Sequence, residues 1–279
     1  MAIRTAEVLF GILPEVRVHP VSQRIRATVD DIVVVDSRDA LIVWEPRRVV
    51  GSYAVRVADI AGTLVPYVEP SGGTHAEHAV RMGASGPRVL DPRTAFTVHT
   101  CPGSALTIRT SAGDLAGAAF APDDPDLDGY VVLDWAAFTA WLEEDQVVMG
   151  HPHDPFDRID CLASSRHVVI SVAGHTLADT HAPVLLLETP LPMRFYIPRA
   201  DVRMELLTPT DQRSVCAYKG VASYWSATVE GKQYPNIVWS YEHPLHDASP
   251  VKEMMCFFTE RLDIEIDGVP WRRPVTPWS

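Results

Sequence analysis

The feature that most constrains this chain is an internal repeat. Residues 22–53 align to residues 165–196 without a gap. Ser22 meets Ser165, Val29 meets Val172, Asp36 meets Asp179, Glu45 meets Glu188 and Tyr53 meets Tyr196. Identities are few, but the order of features is kept: an Asp followed by Ser or Thr, an aliphatic run, a Glu, then a Tyr. A unit of about 140 residues is large enough to own a core, so a period this long means two copies of one domain. The 279-residue chain therefore reads as two tandem domains, residues 1–148 and 149–279. The junction falls in Met149 to Phe156, where Gly-His-Pro-His-Asp-Pro interrupts the pattern. The repeat predicts that Asp36, Glu45 and Tyr53 occupy the places of Asp179, Glu188 and Tyr196, each Asp sitting in a turn beside its hydroxyl neighbour.

Most of the chain reads as strand. Ile25 to Val35 is rich in β-branched residues, and Ala40 to Trp44 and Val184 to Leu187 are short continuous apolar runs. Such runs mark buried strands. Val168 to Val172 is another, and the Ala173-Gly174 after it suits a hairpin turn. The 23 prolines fall mostly between these runs. Two helices are expected, one in each half. Asp134 can cap a helix whose face carries Trp135, Phe138, Trp141 and Leu142. Ser249-Pro250 can open another, with Val251, Met254, Phe257 and Phe258 as its stripe. Pro66 to Pro92, which includes Ser71-Gly72-Gly73, has no counterpart after Leu207 and reads as a loop inserted in the first copy.

Charge narrows the partners. A formal net charge of -12 argues against binding nucleic acid or an anionic membrane through a broad basic face. The four cysteines, Cys101, Cys161, Cys216 and Cys256, form no C-x-x-C pair. They read as free thiols in a reducing compartment. The sequence shows no signal peptide and no apolar span, so a cytoplasmic location is the expectation.

Familiar catalytic signatures are absent. There is no G-x-x-x-x-G-K-[ST], no G-x-G-x-x-G, no H-E-x-x-H and no G-x-S-x-G; Gly83 to Pro87 fails the last at its final position. Asp124-Pro125-Asp126-Leu127-Asp128-Gly129 matches the first half of a calcium loop, but Trp135 stands where the bidentate Glu belongs. It reads as an acidic turn. His151-Pro152-His153-Asp154 lacks a third ligand at fixed spacing, so neither metal nor cofactor is expected.

The most distinctive stretch is Cys216-Ala217-Tyr218-Lys219-Gly220, followed by Ser223-Tyr224-Trp225-Ser226 and, one hairpin later, Val238-Trp239-Ser240-Tyr241. Only three lysines occur, Lys219, Lys232 and Lys252. Lys219, two Trp (Trp225 and Trp239) and two Tyr (Tyr224 and Tyr241), brought together by neighbouring strands, would make a small cationic pocket with aromatic walls. Filling of the core is the competing role for these rings. Glu188 ends an apolar strand and needs a partner there, for which Arg194, Arg199 and Lys219 compete. The expected ligand-binding set is Glu188, Tyr196, Lys219, Tyr224, Trp225 and Trp239, holding a small molecule. An enzyme using Glu188 and Lys219 as an acid–base pair is the alternative, and a protein-interaction scaffold a third.

These residues carry a resemblance. Ser164 to Val168, Ala178-Asp179-Thr180, Leu186 to Thr189, Arg194 to Arg203, Cys216 to Gly220 and Ser223 to Ser226 resemble the family called domain of unknown function 427. The first half resembles it more faintly, through Val43 to Pro46, Tyr53 and His99-Thr100-Cys101-Pro102-Gly103. The resemblance implies a mainly β architecture, two tandem β-tent-like domains of small antiparallel sheets with one helix each. Zinc, usual in β-tent proteins, is not expected without paired C-x-x-C motifs. A nucleotidyltransferase-like label sometimes attached to the family finds no Gly-Ser with paired Asp in this chain. Aligning Cys101 with Cys216 sets Ser104 opposite Lys219 and Thr110 opposite Trp225, so only the second domain keeps the lysine pocket.

Overall fold

The computed structural model of the chain describes residues 2–3, 5–68, 79–81, 87–189 and 191–276. Most of the inserted loop, including Ser71-Gly72-Gly73, and the Gly83–Gly86 stretch lie outside the described residues. The chain is mainly β and divides into two compact units, Met1–Asp154 and Pro155–Ser279.

In the first unit a seven-stranded antiparallel sheet runs in the order Arg17–Val21, Ala40–Trp44, Ser52–Arg56, Tyr130–Leu133, Gly113–Pro122, Gly103–Thr110, Thr63–Pro66. A four-stranded sheet runs Gln146–Val148, Ala140–Glu143, Ile25–Val29, Ile32–Ser37. In the second unit the seven-stranded order is Ile159–Ala163, Val184–Glu188, Arg194–Ile197, Met255–Phe257, Lys232–Ser240, Gly220–Val229, Leu207–Cys216. Its four-stranded sheet runs His175–Thr180, Val168–Val172, Asp263–Ile266, Val269–Pro270. Matched strand by strand, the two orders are the same.

Local details repeat as well. Ile25 to Val35 is a hairpin rather than one strand. Asp30 and Asp31 turn it with positive φ, as Ala173 and Gly174 turn its counterpart. Both hairpins carry a register shift at one place, between Ala27 and Thr28 and between Ile170 and Ser171. The Ser37 hydroxyl donates to Asp59 Oδ2 at 2.6 Å and accepts from the Asp39 amide. Thr180 does the same with Asp201, at 2.5 Å, and the Ala182 amide. Asp36 and Asp179 are not in these turns. They lie within strands, exposed, and pair with Arg24 and His167. The repeated turn-forming group is the hydroxyl beside them.

Each unit has a core whose residues come from both of its sheets. Ile25, Ala27, Ile42, Val55, Ile108 and Trp141 belong to the first, and Val168, Ile170, Phe195, Ile197, Trp225 and Val238 to the second. A smaller apolar cluster covers the other face of each seven-stranded sheet. Alternation along each strand decides which side chain meets which cluster.

Neither expected helix forms. Asp134 caps a single 3-10 turn, Trp135–Ala137, by accepting from the Ala136 amide, and the chain then enters the strand Ala140–Glu143. His246–Val251 is a 3-10 turn with Pro250 inside it, followed by the strand Met255–Phe257. Sheet pairing overrides the helical spacing in both places: Trp141 and Leu142 pair with Ala27 and Arg26, and Cys256 with Tyr196. The only α-helix among the described residues is Thr5–Gly11.

Candidate functional site

In the second unit the strand Val184–Glu188 delivers Glu188 to the edge of the smaller apolar cluster. Lys219 sits in the short turn between Leu207–Cys216 and Gly220–Val229. Gly220, at φ +92°, lets the chain reverse there, and the Leu245 amide holds the Lys219 carbonyl at 3.2 Å. The lysine side chain then tucks back over the cluster. Its Nζ donates to Glu188 Oε2 at 2.5 Å, with only 8% and 11% of the two side chains exposed. Burial opposes the lysine's charge, but Glu188 and the neighbouring Cys216 outweigh it and raise the Lys219 pKa above its ordinary value. The ammonium is therefore held firmly at neutral pH.

Around this pair stand Tyr196, Tyr224, Trp239 and Tyr241, all buried. Trp239 Nε1 donates to Tyr196 Oη at 3.2 Å, and Phe258 covers Trp239 with ring centres 4.5 Å apart. The Tyr224 hydroxyl shares a hydrogen bond with Ser214 Oγ at 2.7 Å. Burial drives the phenol pKa values of Tyr196 and Tyr241 well up, with the charges of nearby Cys256 and Cys216 respectively adding to it. Five of the six expected site residues thus share one face. Trp225 does not: it lies in the core on the opposite face of the sheet. Adjacent residues of a strand point to opposite sides, so Tyr224 and Trp225 cannot line one pocket. The same alternation places Tyr241, two residues beyond Trp239, on this face with them, although the expected set of six left it out. The rings form a close-packed layer under the ion pair, not an open aromatic cage.

Arg194, a rival partner for Glu188, is committed elsewhere. Its guanidinium makes two hydrogen bonds to Glu260, at 2.8 and 2.7 Å, and both side chains are buried. Thr276 Oγ1 donates to the same carboxylate at 2.7 Å. Burial raises the Glu260 pKa, but the bonds from Arg194 and Thr276 prevail and leave it lowered.

The first unit keeps the glutamate and changes its partners. Glu45 is 3% exposed. Its Oε2 accepts from the Thr100 amide at 2.7 Å, its Oε1 meets His99 Nδ1 at 3.0 Å, and Arg48 Nε stands at 3.9 Å. His99 stacks on Phe120 at 3.6 Å. The sheet ladders fix which residues are equivalent. Ala54 and Tyr196 pair with Val132 and Cys256, these with Phe120 and Trp239, and these in turn with Ala105 and Tyr224. Five residues before Ala105 and Tyr224 come Thr100 and Lys219. The alignment of Cys101 with Cys216 is therefore corrected: Thr100 is opposite Lys219, and Leu106 opposite Trp225.

A second correction concerns the tyrosines. Ile42 pairs with Tyr53, whereas its counterpart Leu185 pairs with Phe195. Tyr53 belongs to the core shared by the two sheets of its unit, and Tyr196 to the cluster on the far face. The connection after Glu45 is one residue longer than that after Glu188, and a slip of one residue flips every following side chain. Tyr53 is equivalent to Phe195, and Ala54 to Tyr196. Tyr53 instead donates to Glu143 Oε1 at 2.6 Å, and the other oxygen of that carboxylate meets His153 Nδ1 at 3.0 Å.

No group of three or more His, Cys, Asp or Glu among the described residues is placed to hold a metal. Asp124 to Gly129 forms the expected acidic turn, with Asp124 accepting from the Asp126 amide, and leads into a strand. No helix among the described residues is long and apolar enough to cross a membrane.

The site is thus a buried carboxylate–ammonium pair on a ring-lined face of a two-sheet β unit. Residues 160–268, most of the second unit, match the family model described as domain of unknown function (DUF427), and this unit belongs to that family. No curated protein matches the chain.

Proposed function

We propose that the chain is a small-molecule-binding protein, a sensor or carrier, and that the second unit recognises its ligand through Glu188 and Lys219. One observation carries this reading. The Glu188–Lys219 pair is nearly buried, yet both charged groups keep a margin of exposure. An ion pair so placed sacrifices hydration that packed apolar side chains would not need, so it contributes little to stability that its cluster lacks. A polar ligand arriving at that margin finds a fixed donor, a fixed acceptor and the rings of Tyr196, Trp239 and Tyr241 beneath them. We further propose that the first unit is a diverged copy of the same domain, which matches strand order but puts Thr100 where the lysine stands.

Binding is favoured over acid–base catalysis for a physical reason. The raised pKa of Lys219 keeps it protonated, so it cannot serve as a neutral base near pH 7. The test is tryptophan fluorescence against a panel of polar metabolites, followed by the doubly neutral variant Glu188→Gln/Lys219→Met. A saturable change in the wild type, abolished in that variant and preserved in Trp225→Phe, supports the reading. If every ligand of the panel that binds the wild type binds the double variant equally well, the reading is refuted.

A further inference from the structure

The first unit holds a cleft of about 300 Å³ between the Arg48–Ser52 connection, the Asp91–Phe96 segment, Trp135 and the His151 region. The second unit builds nothing from an equivalent segment. There the strands corresponding to Thr63–Pro66 and Gly103–Thr110 are joined by the short turn that carries Lys219. The cleft is at the small end of ordinary ligand pockets, which suits a compact metabolite and not a nucleotide.

Two guanidiniums, Arg48 and Arg93, and two carboxylates, Asp91 and Asp134, line it. Arg93 is matched by Asp91, through bonds of 2.9 and 2.5 Å. The Arg48 guanidinium donates to the carbonyls of Ala95 at 3.0 Å and Val98 at 2.6 Å, and Glu45 stands at 3.9 Å from it. It is spent on holding the 94–98 segment in place. Asp134 is different. One of its oxygens accepts from the Ala136 amide, and no ion pair reaches it among the described residues. Next to it Trp135 is held flat against Trp141, centroids 5.1 Å apart and planes within 10°. Thr94 supplies a second, independent observation. It is 8% exposed, it lines the cleft, and its buried Oγ1 has no hydrogen-bond partner. A buried hydroxyl without a partner is uncommon and costly.

We propose that this cleft binds a small organic cation, an amine or quaternary ammonium, with its charge set between the Asp134 carboxylate and the Trp135 ring and its polar tail on Thr94 Oγ1. A carboxylate outside any direct ion pair and a fixed indole are the two groups such a ligand recognises. The site is separate from Glu188 and Lys219 and does not depend on them.

The full chain is titrated with choline, putrescine and the neutral choline isostere 3,3-dimethylbutanol, followed by calorimetry and tryptophan fluorescence. Saturable binding of a cation is expected, weakened roughly tenfold or more by Asp134→Asn and by Trp135→Leu, with no response to the neutral isostere. Asparagine caps a turn as well as aspartate does, so the first variant keeps the fold; circular dichroism and an unchanged unfolding midpoint check this. Binding should be unaltered in the Glu188→Gln/Lys219→Met variant. Equal affinity for the neutral isostere, undiminished binding in folded Asp134→Asn, or no binding of either cation at millimolar concentration overturns the proposal. Loss of binding in the Glu188/Lys219 variant alone overturns it too, by moving the ligand to the second unit.

Discussion

Glu188 ends its strand and Glu45 directly follows the equivalent one; Glu45 is buried and Glu188 nearly so. Glu188 meets a lysine ammonium; Glu45 meets an amide, an imidazole nitrogen and, farther off, a guanidinium. The fold decides that a carboxylate stands there. The connection between two neighbouring strands decides what answers it. A tight turn in the second unit brings Lys219 to the carboxylate, whereas the longer segment of the first brings His99 and Thr100 and opens a cleft beside them. Corresponding positions thus hold a closed ion pair in one unit and the anchor of a loop in the other.

The sharpest break of this comparison comes from removing each partner. Lys219→Met leaves Glu188 as an uncompensated buried charge, and a loss of about 3–5 kcal/mol is expected. Thr100→Ala removes a hydroxyl but keeps the amide bonded to Glu45, and should cost about 1 kcal/mol. Urea unfolding, with hydrogen exchange to assign the loss to one unit, measures both. Similar losses would mean that the two glutamates are held alike.

Neutralising the carboxylates comes next. Glu188→Gln strands a buried ammonium and should cost more than Glu45→Gln, whose partners include neutral donors, by roughly 1–3 kcal/mol. In the double variant Glu188→Gln/Lys219→Met most of the single-variant loss should return. A double variant no better than the worse single one would show that the pair is not the unit of stability.

Acid and alkali separate the pairs further. Lys219 has a raised folded pKa, so its contribution is complete below its ordinary pKa of 10.5 and is lost as pH rises through the folded value. Glu260 has a lowered one. Its contribution is complete above its ordinary 4.5 and is lost as pH falls through the folded value. Wild type should therefore lose stability relative to the Glu188→Gln/Lys219→Met variant as pH rises above about 10.5, and relative to Glu260→Gln as pH falls below about 4.5. A margin constant across those ranges contradicts the assignment.

The smallest effect tests the flipped register. Tyr53→Phe removes a hydrogen bond to Glu143, and Tyr196→Phe removes the acceptor of Trp239 Nε1; each should cost about 1 kcal/mol. Only the second should perturb the indole N–H signal of Trp239 in an NMR spectrum, and only the first should raise the lowered pKa of Glu143. Glu143 is pushed upward by burial and held down by His153 and Tyr53, so losing one donor must move it up.

Much of this was legible along the chain. The Asp-Ser and Asp-Thr pairs, the aliphatic runs and the two glutamates stand at matching points of two units whose strands run in one order. Ala173-Gly174 announced its hairpin. Even the error over Trp225 was avoidable, because adjacent strand residues face opposite ways. Other features left no local trace. Trp135 to Leu142 carries helical spacing, yet the cross-strand partners Thr28, Ala27 and Arg26, far away in sequence, drew its second half into a sheet. Nothing near Glu188 chose Lys219 over Arg194, since both lie within reach of a strand end and Glu260 claims the arginine from a distant loop.

The sequence by itself determined which residues alternate into a core, where the chain turns, and that a charged group stands at the end of an apolar strand. These depend on properties carried by neighbours: side-chain period, permitted φ and the cost of burying charge. Only the tertiary structure decided the partner of each charge and the face of each tyrosine. Strand register converts a single extra residue into a reversal of face, and ion pairs form between segments that meet only once the sheets have assembled. Such facts reside in the three-dimensional pairing, and no window of the sequence contains them.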